Sequence, residues 1–406
     1  MKKLLGKKAD EPTAQPIFQK PAPPPFAAQW AAAGLNIVEN DFGMLFKRTV
    51  FYPSDYKHGH YELGQLFDAI ERWEEAGVEH PFATTFDDTL VFFDTETTGL
   101  KGAGTLIFLL GVLEEKRDGF EMTQYVLADP SNEAAMLFES KFWQRVMTVV
   151  SYNGKSFDWP QLHTRWTMNQ QIIPKLRDQK QIDLLHSSKR LWRDDLTHMK
   201  LTQVEQEKLG FYRQGDIPGH LAPIIYFDAV KSGNAETLMK VLLHNEWDLL
   251  SLITLYIHST ELLLNDVAQE SATTYTNIGK WYGDLKHRET GAHMLEQVAN
   301  QFDEDEASVA KFYLAQSVKR EGDYTRAVQL LEEAYPYLTM KKQLHAFEQL
   351  AMLYEHQLHN IPRALYYATR GLEQLDAVIY RKLETQHAQR QKWEKRITRL
   401  QNKNNR

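Results

Sequence analysis

Four carboxylates and one imidazole stand at spacings that suit metal-assisted chemistry. In V-F-F-D-T-E-T-T-G-L, residues 91–100, Asp94 and Glu96 flank a single threonine. Successive side chains of a strand point to opposite faces, so both acids emerge on the same one. Adjacent carboxylates repel unless a cation lies between them, which points to a divalent metal; the alternative is a strand end carrying solvated acids. Asp158 follows in Y-N-G-K-S-F-D-W-P-Q-L, residues 152–162, held between Phe157 and Trp159. It also stands where it would cap a helix opened by Pro160. Asn153 and Lys155 suit a phosphate or sugar. The third stretch, H-N-E-W-D at 244–248, starts a long helix on which His244 and Asp248 share a face. A structural His–Asp pair is the competing account there.

The elements that must position these groups are legible from apolar periodicity. Strands are expected over 46–52, 89–94, 105–115, 121–127 and 148–152, with helices over 63–76, 132–147 and 222–230. Strands alternating with helices in this order predict an α/β fold, a mixed sheet with helices packed on it. Beyond residue 271 the character changes. Turns around Gly291-Ala292, Asp323 to Ala327 and Asn360 to Ala364 recur, with Ala292, Ala327 and Ala364 spaced 35 and 37 residues apart. A helix on each side of every turn gives a period near that of tetratricopeptide repeats, about 34 residues. The expected segments are therefore a disordered Lys/Pro/Ala-rich tail at 1–27, a sheet domain with a small N-terminal lead-in at 28–270, helical repeats at 271–376 and a basic helical tail, partly free, at 377–406.

Composition narrows the chemistry. The chain has no cysteine, which excludes disulfides, thiolate zinc sites and a cysteine nucleophile. Its net charge of −7 is unevenly spread: residues 1–20 carry five lysines against two acids, and residues 381–406 carry nine Lys/Arg against two Glu. Basic ends on an acidic body suit contact with a polyanion, or are plain solvated tails. Lys189, Arg190 and Arg193 form a short basic cluster beside Trp192, a composition suited to a nucleic-acid backbone and ordinary for an exposed helix end. The opening Met1 to Leu5 is interrupted by Gly6-Lys7-Lys8 before any apolar segment develops, and no apolar run is long enough to span a bilayer, so a cytosolic protein without membrane partners is expected.

Taken together, D-T-E-T-T-G-L, Y-N-G-K-S-F-D-W-P-Q-L, L-L-H-S-S-K-R-L-W-R, D-I-P-G and H-N-E-W-D resemble the bacterial YprB-like exonucleases of the DEDD class, over residues 40–265. A following repeat domain is also similar. The resemblance implies a ribonuclease-H-like fold, two Mg²⁺ or Mn²⁺ ions, and metal-dependent 3′-to-5′ hydrolysis of DNA in repair, in the bacterial cytosol or nucleoid. Asp94, Glu96, Asp158 and Asp248 correspond to the metal ligands, and His244 to the general base. Three residues separate His244 from Asp248, whereas His enzymes of this class have four, and three is the spacing of the Tyr variant. Thr97, Gly99 and Leu100 would lie over the terminal nucleotide, Asn153 and Lys155 at the next phosphate, and Arg165 and Lys189 farther along the strand. A helicase or other repair factor would dock on the repeats. The rival expectations are a non-catalytic adaptor, a structure-specific endonuclease or an RNA-directed nuclease, since fold does not fix function.

Overall fold

The structure is a computed structural model that describes residues 19–99, 104–265, 270–375 and 383–405. Its chain divides into two compact units that are not contiguous in sequence. The first takes the residues up to Gln65, Phe86–Asp183 and Phe211–Thr254, and the second takes Leu66–Thr85, Leu184–Gly210 and the chain from Leu255. This differs from the contiguous segments expected at 28–270 and 271–376.

The first unit is built on a mixed seven-stranded sheet. Its strands are β1 (Asn36–Asn40), β2 (Gly43–Pro53), β5 (Leu90–Thr97), β6 (Ile107–Lys116), β7 (Gly119–Leu127), β8 (Thr148–Ser151) and β9 (Lys180–Asp183), in the order β1-β2-β7-β6-β5-β8-β9. A small hairpin, β3 (Lys57–His58) and β4 (Tyr61–Glu62), stands apart from it. β5 pairs antiparallel with β6 and parallel with β8, so the strand carrying Asp94 and Glu96 lies inside the sheet. That explains its lead-in: Leu90 to Phe93 are all buried, the continuous apolar run of a strand covered on both faces. The strand continues through both acids to Thr97, three residues beyond the expected end, and its register with β6 shifts between Glu96 and Thr97. Bulges of this kind commonly re-aim side chains beside functional sites.

The helices of this unit are α1 (Ala27–Ala32), α3 (Glu133–Glu139), α4 (Asp158–Asn169), α7 (Ala222–Ser232) and the first part of α8 (Glu236–Leu264), which runs on into the second unit. Several expectations are corrected. The 132–147 helix stops at Glu139, because Lys141 turns the backbone left-handed at φ 62°. The lead-in before residue 28 contributes to the core: Phe26 packs against Trp30 and Phe46 at ring separations of 4.6 and 6.4 Å. Residues 1–18 of the expected tail lie outside the described residues.

The second unit is helical: α2 (Gln65–Ala76), α5 (Leu184–Trp192), α6 (Leu201–Val204), the end of α8, then α9 (Ala272–Asp284), α10 (Arg288–Gln301), α11 (Glu304–Glu321), α12 (Tyr324–Ala334), α13 (Met340–His356), α14 (Ile361–Leu375) and α15 (Leu383–Asn404). Aromatic packing draws 66–85 into it. His80 stacks on Trp73 at 5.1 Å and meets Trp281 at 4.6 Å, and the Tyr256 hydroxyl donates to the Phe82 carbonyl at 2.9 Å. The three helix pairs expected after residue 271 are present as α9/α10, α11/α12 and α13/α14. In the first pair the buried small residue is Gly291, not Ala292, and it abuts the backbone of Gly279. The basic tail is docked where it is described. Trp393 and Leu400 are 5% and 0% exposed, and Gly371 clears room for the Trp393 ring, which a Cβ there would meet at 2.4 Å.

Candidate metal centre

The site forms where β5, the start of α4 and the middle of α8 converge in the first unit. α8 lies close against the sheet at Gly111 of β6, the residue paired with Asp94. A Cβ at Gly111 would meet Asn245 Oδ1 at 2.3 Å and Leu249 Cδ1 at 2.8 Å, so only glycine allows this approach. Asn245 is fully buried and donates to Asp94 Oδ2 at 2.8 Å, while its own Oδ1 accepts from Gln124 Nε2 at 2.8 Å. Gln124 donates in addition to the Leu242 carbonyl at 2.7 Å. The carboxylate of Asp94 is thereby held by a satisfied buried network, the kind that fixes one geometry.

Asp158 is the first residue of α4 and is buried, so it does not cap the helix from outside as the sequence alternative had it. Its Oδ1 accepts a hydrogen bond from Thr95 Oγ1. The turn before it is tied to Asp183 at the end of β9, whose Oδ1 and Oδ2 accept from the backbone N–H groups of Asn153 at 2.8 Å and Lys155 at 3.1 Å. Asn153 adopts φ 66°, a conformation that asparagine tolerates better than most residues. This leaves the Asn153 and Lys155 side chains exposed.

Where α8 meets β5, Glu96, His244 and Asp248 bring ligand atoms within 4.8 Å of one another. His244 Nε2 lies 3.5 Å from Asp248 Oδ2 and 4.0 Å from Glu96 Oε1. The three-residue gap thus sets histidine and aspartate one helical turn apart on the same face. His244 Nδ1 is 2.7 Å from Asp216 Oδ1 and 3.2 Å from Arg213 Nη1. The 2.7 Å contact suits an Nδ1–H donating to the Asp216 carboxylate, and it turns Nε2 toward Asp248 and Glu96. Arg213, with 4% of its side chain exposed, donates to Asp248 Oδ1 at 2.5 Å and Asp216 Oδ2 at 3.1 Å.

The electrostatics are those of acids gathered without enough counter-charge. Burial, then Asp248, Asp158 and Glu96, raise the Asp94 carboxyl well above its ordinary range, against the hydrogen bond from Asn245. Burial raises Glu96 likewise, followed by Asp248, Asp158 and Asp216, with Arg213 opposing. Asp158 is pushed up to about 6, mainly by burial and against the Thr95 hydrogen bond. A cluster of oxygen donors that resist joint ionisation matches hard divalent cations such as Mg²⁺ or Mn²⁺, which prefer carboxylate oxygen and would relieve the repulsion. The residues present fit such ions.

Residues 91–260 match the RNase_H superfamily. YprB of Bacillus subtilis (strain 168), an uncharacterized protein, is 35% identical over 386 residues, 93% of this chain and 91% of its own. The chain belongs to the YprB family. Its sheet with flanking helices is the ribonuclease-H-like fold, and membership supports a nuclease-type function with an acidic metal site.

The other sequence candidates sort differently. Thr97 is buried, and its hydroxyl donates to the Gly99 carbonyl at 2.8 Å, shaping the turn. Leu100 lies outside the described residues. Arg165 is corrected: it is 7% exposed and forms a bidentate pair with Glu133, at 2.5 and 2.7 Å, so it is not presented to a strand. Lys189 is exposed on α5 of the second unit. Sequence reasoning missed Asn245, Gln124, Asp183, Arg213 and Asp216. Asn245 could have been found from its place between His244 and Asp248, and Gln124 as the one amide inside a largely apolar strand. Asp216 reads only as part of a turn, because its partner His244 is 28 residues away.

Proposed function

We propose that this YprB-family chain is a metal-dependent 3′-to-5′ DNA exonuclease of the DEDD type, acting in DNA repair in the bacterial cytosol. The observation that carries this reading is the convergence of Asp94, Glu96, Asp158 and Asp248, with His244 Nε2 turned toward Glu96 and Asp248. The four carboxylates would hold two Mg²⁺ or Mn²⁺ ions. When bound, such ions hold the scissile phosphate, acidify the attacking water and offset charge on the leaving oxygen.

The chain's own groups do the rest. His244 Nε2 accepts the proton of the attacking water as its oxygen bonds to phosphorus. The P–O3′ bond breaks, the 3′-oxygen stays with the shortened strand, and a nucleoside 5′-monophosphate departs. Asp216 fixes the imidazole tautomer and ring direction, and Arg213 steadies both Asp216 and Asp248. Asn153 and Lys155 stand ready for the next phosphate, and Thr97, Gly99 and Leu100 for the terminal nucleotide. The helical pairs α9 to α14 act as a tetratricopeptide-like platform for a protein partner such as a helicase or another repair factor.

The test sets linear single-stranded DNA, duplex DNA, circular single-stranded DNA and RNA side by side with Mg²⁺ or Mn²⁺. Mononucleotide release from linear DNA, with circles intact and RNA slower, is expected. Nicked circles would favour an endonuclease, faster RNA loss an RNA-directed enzyme, and no release from any substrate a non-catalytic adaptor. Within the enzyme reading, Asp216→Ala lowers kcat about a hundredfold with KM nearly unchanged. In a His244→Ala background the same change has little further effect, and an additive loss would remove Asp216 from this role.

A further inference from the structure

Outside the carboxylate site, the second unit holds a cationic cavity of about 800 Å³ between α5 and α9. One wall is the exposed face of α5, where His186, Lys189, Arg190 and, just past the helix end, Arg193 recur at helical spacing. The other wall is the matching face of α9, with Asn277, Lys280, Trp281 and Asp284. Residues three and four apart on a helix are surface neighbours, so each wall presents its groups as one row. Asn277 ties the walls together by donating to the Leu191 carbonyl at 3.2 Å.

Four cationic side chains line this cavity against a single carboxylate, Asp284. Asp284 lies 3.6 Å from Arg190, and Asp194, outside the lining, lies 3.7 Å from Arg193. Both are loose pairings between exposed groups, worth little in water. No acid is paired with Lys189 among the described residues. Burial lowers the Lys280 ammonium below the usual lysine range, and the positive charge of Arg193 lowers it further, against Asp194 and Asp284. Lys280 on one wall thus lies within the field of Arg193 on the other. Arg190 is braced over the Trp281 ring at 5.2 Å, which orients its planar fork. Lys280, 4.7 Å over the Tyr313 ring, also lines the adjoining cavity of α9 to α11, where Arg288 and Arg320 add two more cations.

We infer that this cavity is a phosphate-binding site that grips the backbone of a nucleic-acid strand through Lys189, Arg190, Arg193 and Lys280. Forked guanidinium groups suit phosphate oxygens, and a chain of net charge −7 needs such a local concentration of cations to hold a polyanion at all. The choice of a nucleic-acid strand over an acidic peptide rests on the nuclease reading above.

The test measures binding of a fluorescent single-stranded oligonucleotide to the full chain in EDTA, over a series of salt concentrations. Lys189→Ala/Arg193→Ala should weaken binding about tenfold at low salt. It should also make the salt dependence shallower by about 1.4, since each phosphate left without its cation on a single strand accounts for about 0.7. A control with the same charge change elsewhere, Arg117→Ala/Lys341→Ala, should bind like wild type. Unchanged affinity and slope in the cavity variant, or an equal weakening in the control, overturns the proposal. Polyglutamate that binds the wild type more tightly than the oligonucleotide, and is weakened more in the cavity variant, overturns it in favour of an acidic peptide. Because no metal is present, the result is independent of catalysis: a wild type that binds in this way yet releases no nucleotide refutes the nuclease reading alone.

Discussion

Carboxylates are treated in opposite ways in the two compact units. In the sheet unit, Asp94, Glu96 and Asp158 are drawn together and all three carboxyls are raised, with Arg213 opposing the rise at Glu96. In the helical unit, burial also works against Glu270 and Glu355, but partners win. Lys208 at 2.8 Å and His258 at 3.6 Å bring Glu270 down to about 2. Glu355, its side chain fully enclosed, is lowered by Arg399 and Lys403, which dock α15. The same side-chain chemistry holds a fold together where it is paired, and stores unfavourable charge where it is not. Such storage marks a functional site more often than a structural one.

Substitutions should break this contrast unequally. Asp94→Asn is expected to lower nucleotide release about a thousandfold or more, while raising the melting temperature of the metal-free protein. A loss of both activity and stability would mean that Asp94 is structural. Glu355→Ala should do the reverse, removing about 2 kcal/mol of stability with kcat unchanged. That is less than for a wholly buried pair, since Arg399 and Lys403 are about half exposed. Denaturant unfolding beside single-turnover assays checks both.

The pH dependence should have opposite signs in the two units. Asp158 has a folded-state value of about 6 against an ordinary 3.8. Its contribution to stability is present below pH 4 and lost as pH rises through 6. Asp158→Asn should therefore stabilise the metal-free protein by about 2 kcal/mol more at pH 8 than at pH 4, and millimolar Mg²⁺ or Mn²⁺ should erase that advantage. Glu270 has a folded-state value of about 2 against 4.5, so its contribution is present above pH 4.5 and lost as pH falls toward 2. Glu270→Gln should cost about 1 kcal/mol at pH 7, discounted for its partial exposure, and almost nothing near pH 2. Unfolding curves across pH, with and without metal, distinguish the two signs.

Much of the sheet unit was legible because its signals are local. The apolar run before Asp94 marks an interior strand, and the D-x-E alternation puts two acids on one face whatever the fold. His244 and Asp248 share a helix, so their proximity follows from spacing alone. Of the groups that orient them, Asp216 was hidden because it meets His244 only once 28 residues of chain close, and Asn245 shows its place beside His244 but not its partner Asp94, 151 residues earlier. Arg165 was misjudged for the same reason: a basic residue on an amphipathic helix looks available until Glu133, 32 residues earlier, is seen beside it. The docked α15 was obscured by composition, since a tail rich in Lys, Arg and Gln hides two anchors, Trp393 and Leu400, and the first of them needs Gly371 opposite it.

Under the proposed function, the carboxylates and His244 make one metal-dependent hydrolytic site. Its most direct test follows release of a 3′-terminal label from single-stranded DNA by wild type and His244→Ala, each with Mn²⁺ and with EDTA, alongside Mn²⁺ binding to both proteins. Labelled mononucleotide is expected only with metal, and His244→Ala is expected to bind Mn²⁺ nearly as well as wild type yet release label far more slowly. Release in EDTA, or a wild type that binds Mn²⁺ and releases nothing, would contradict it.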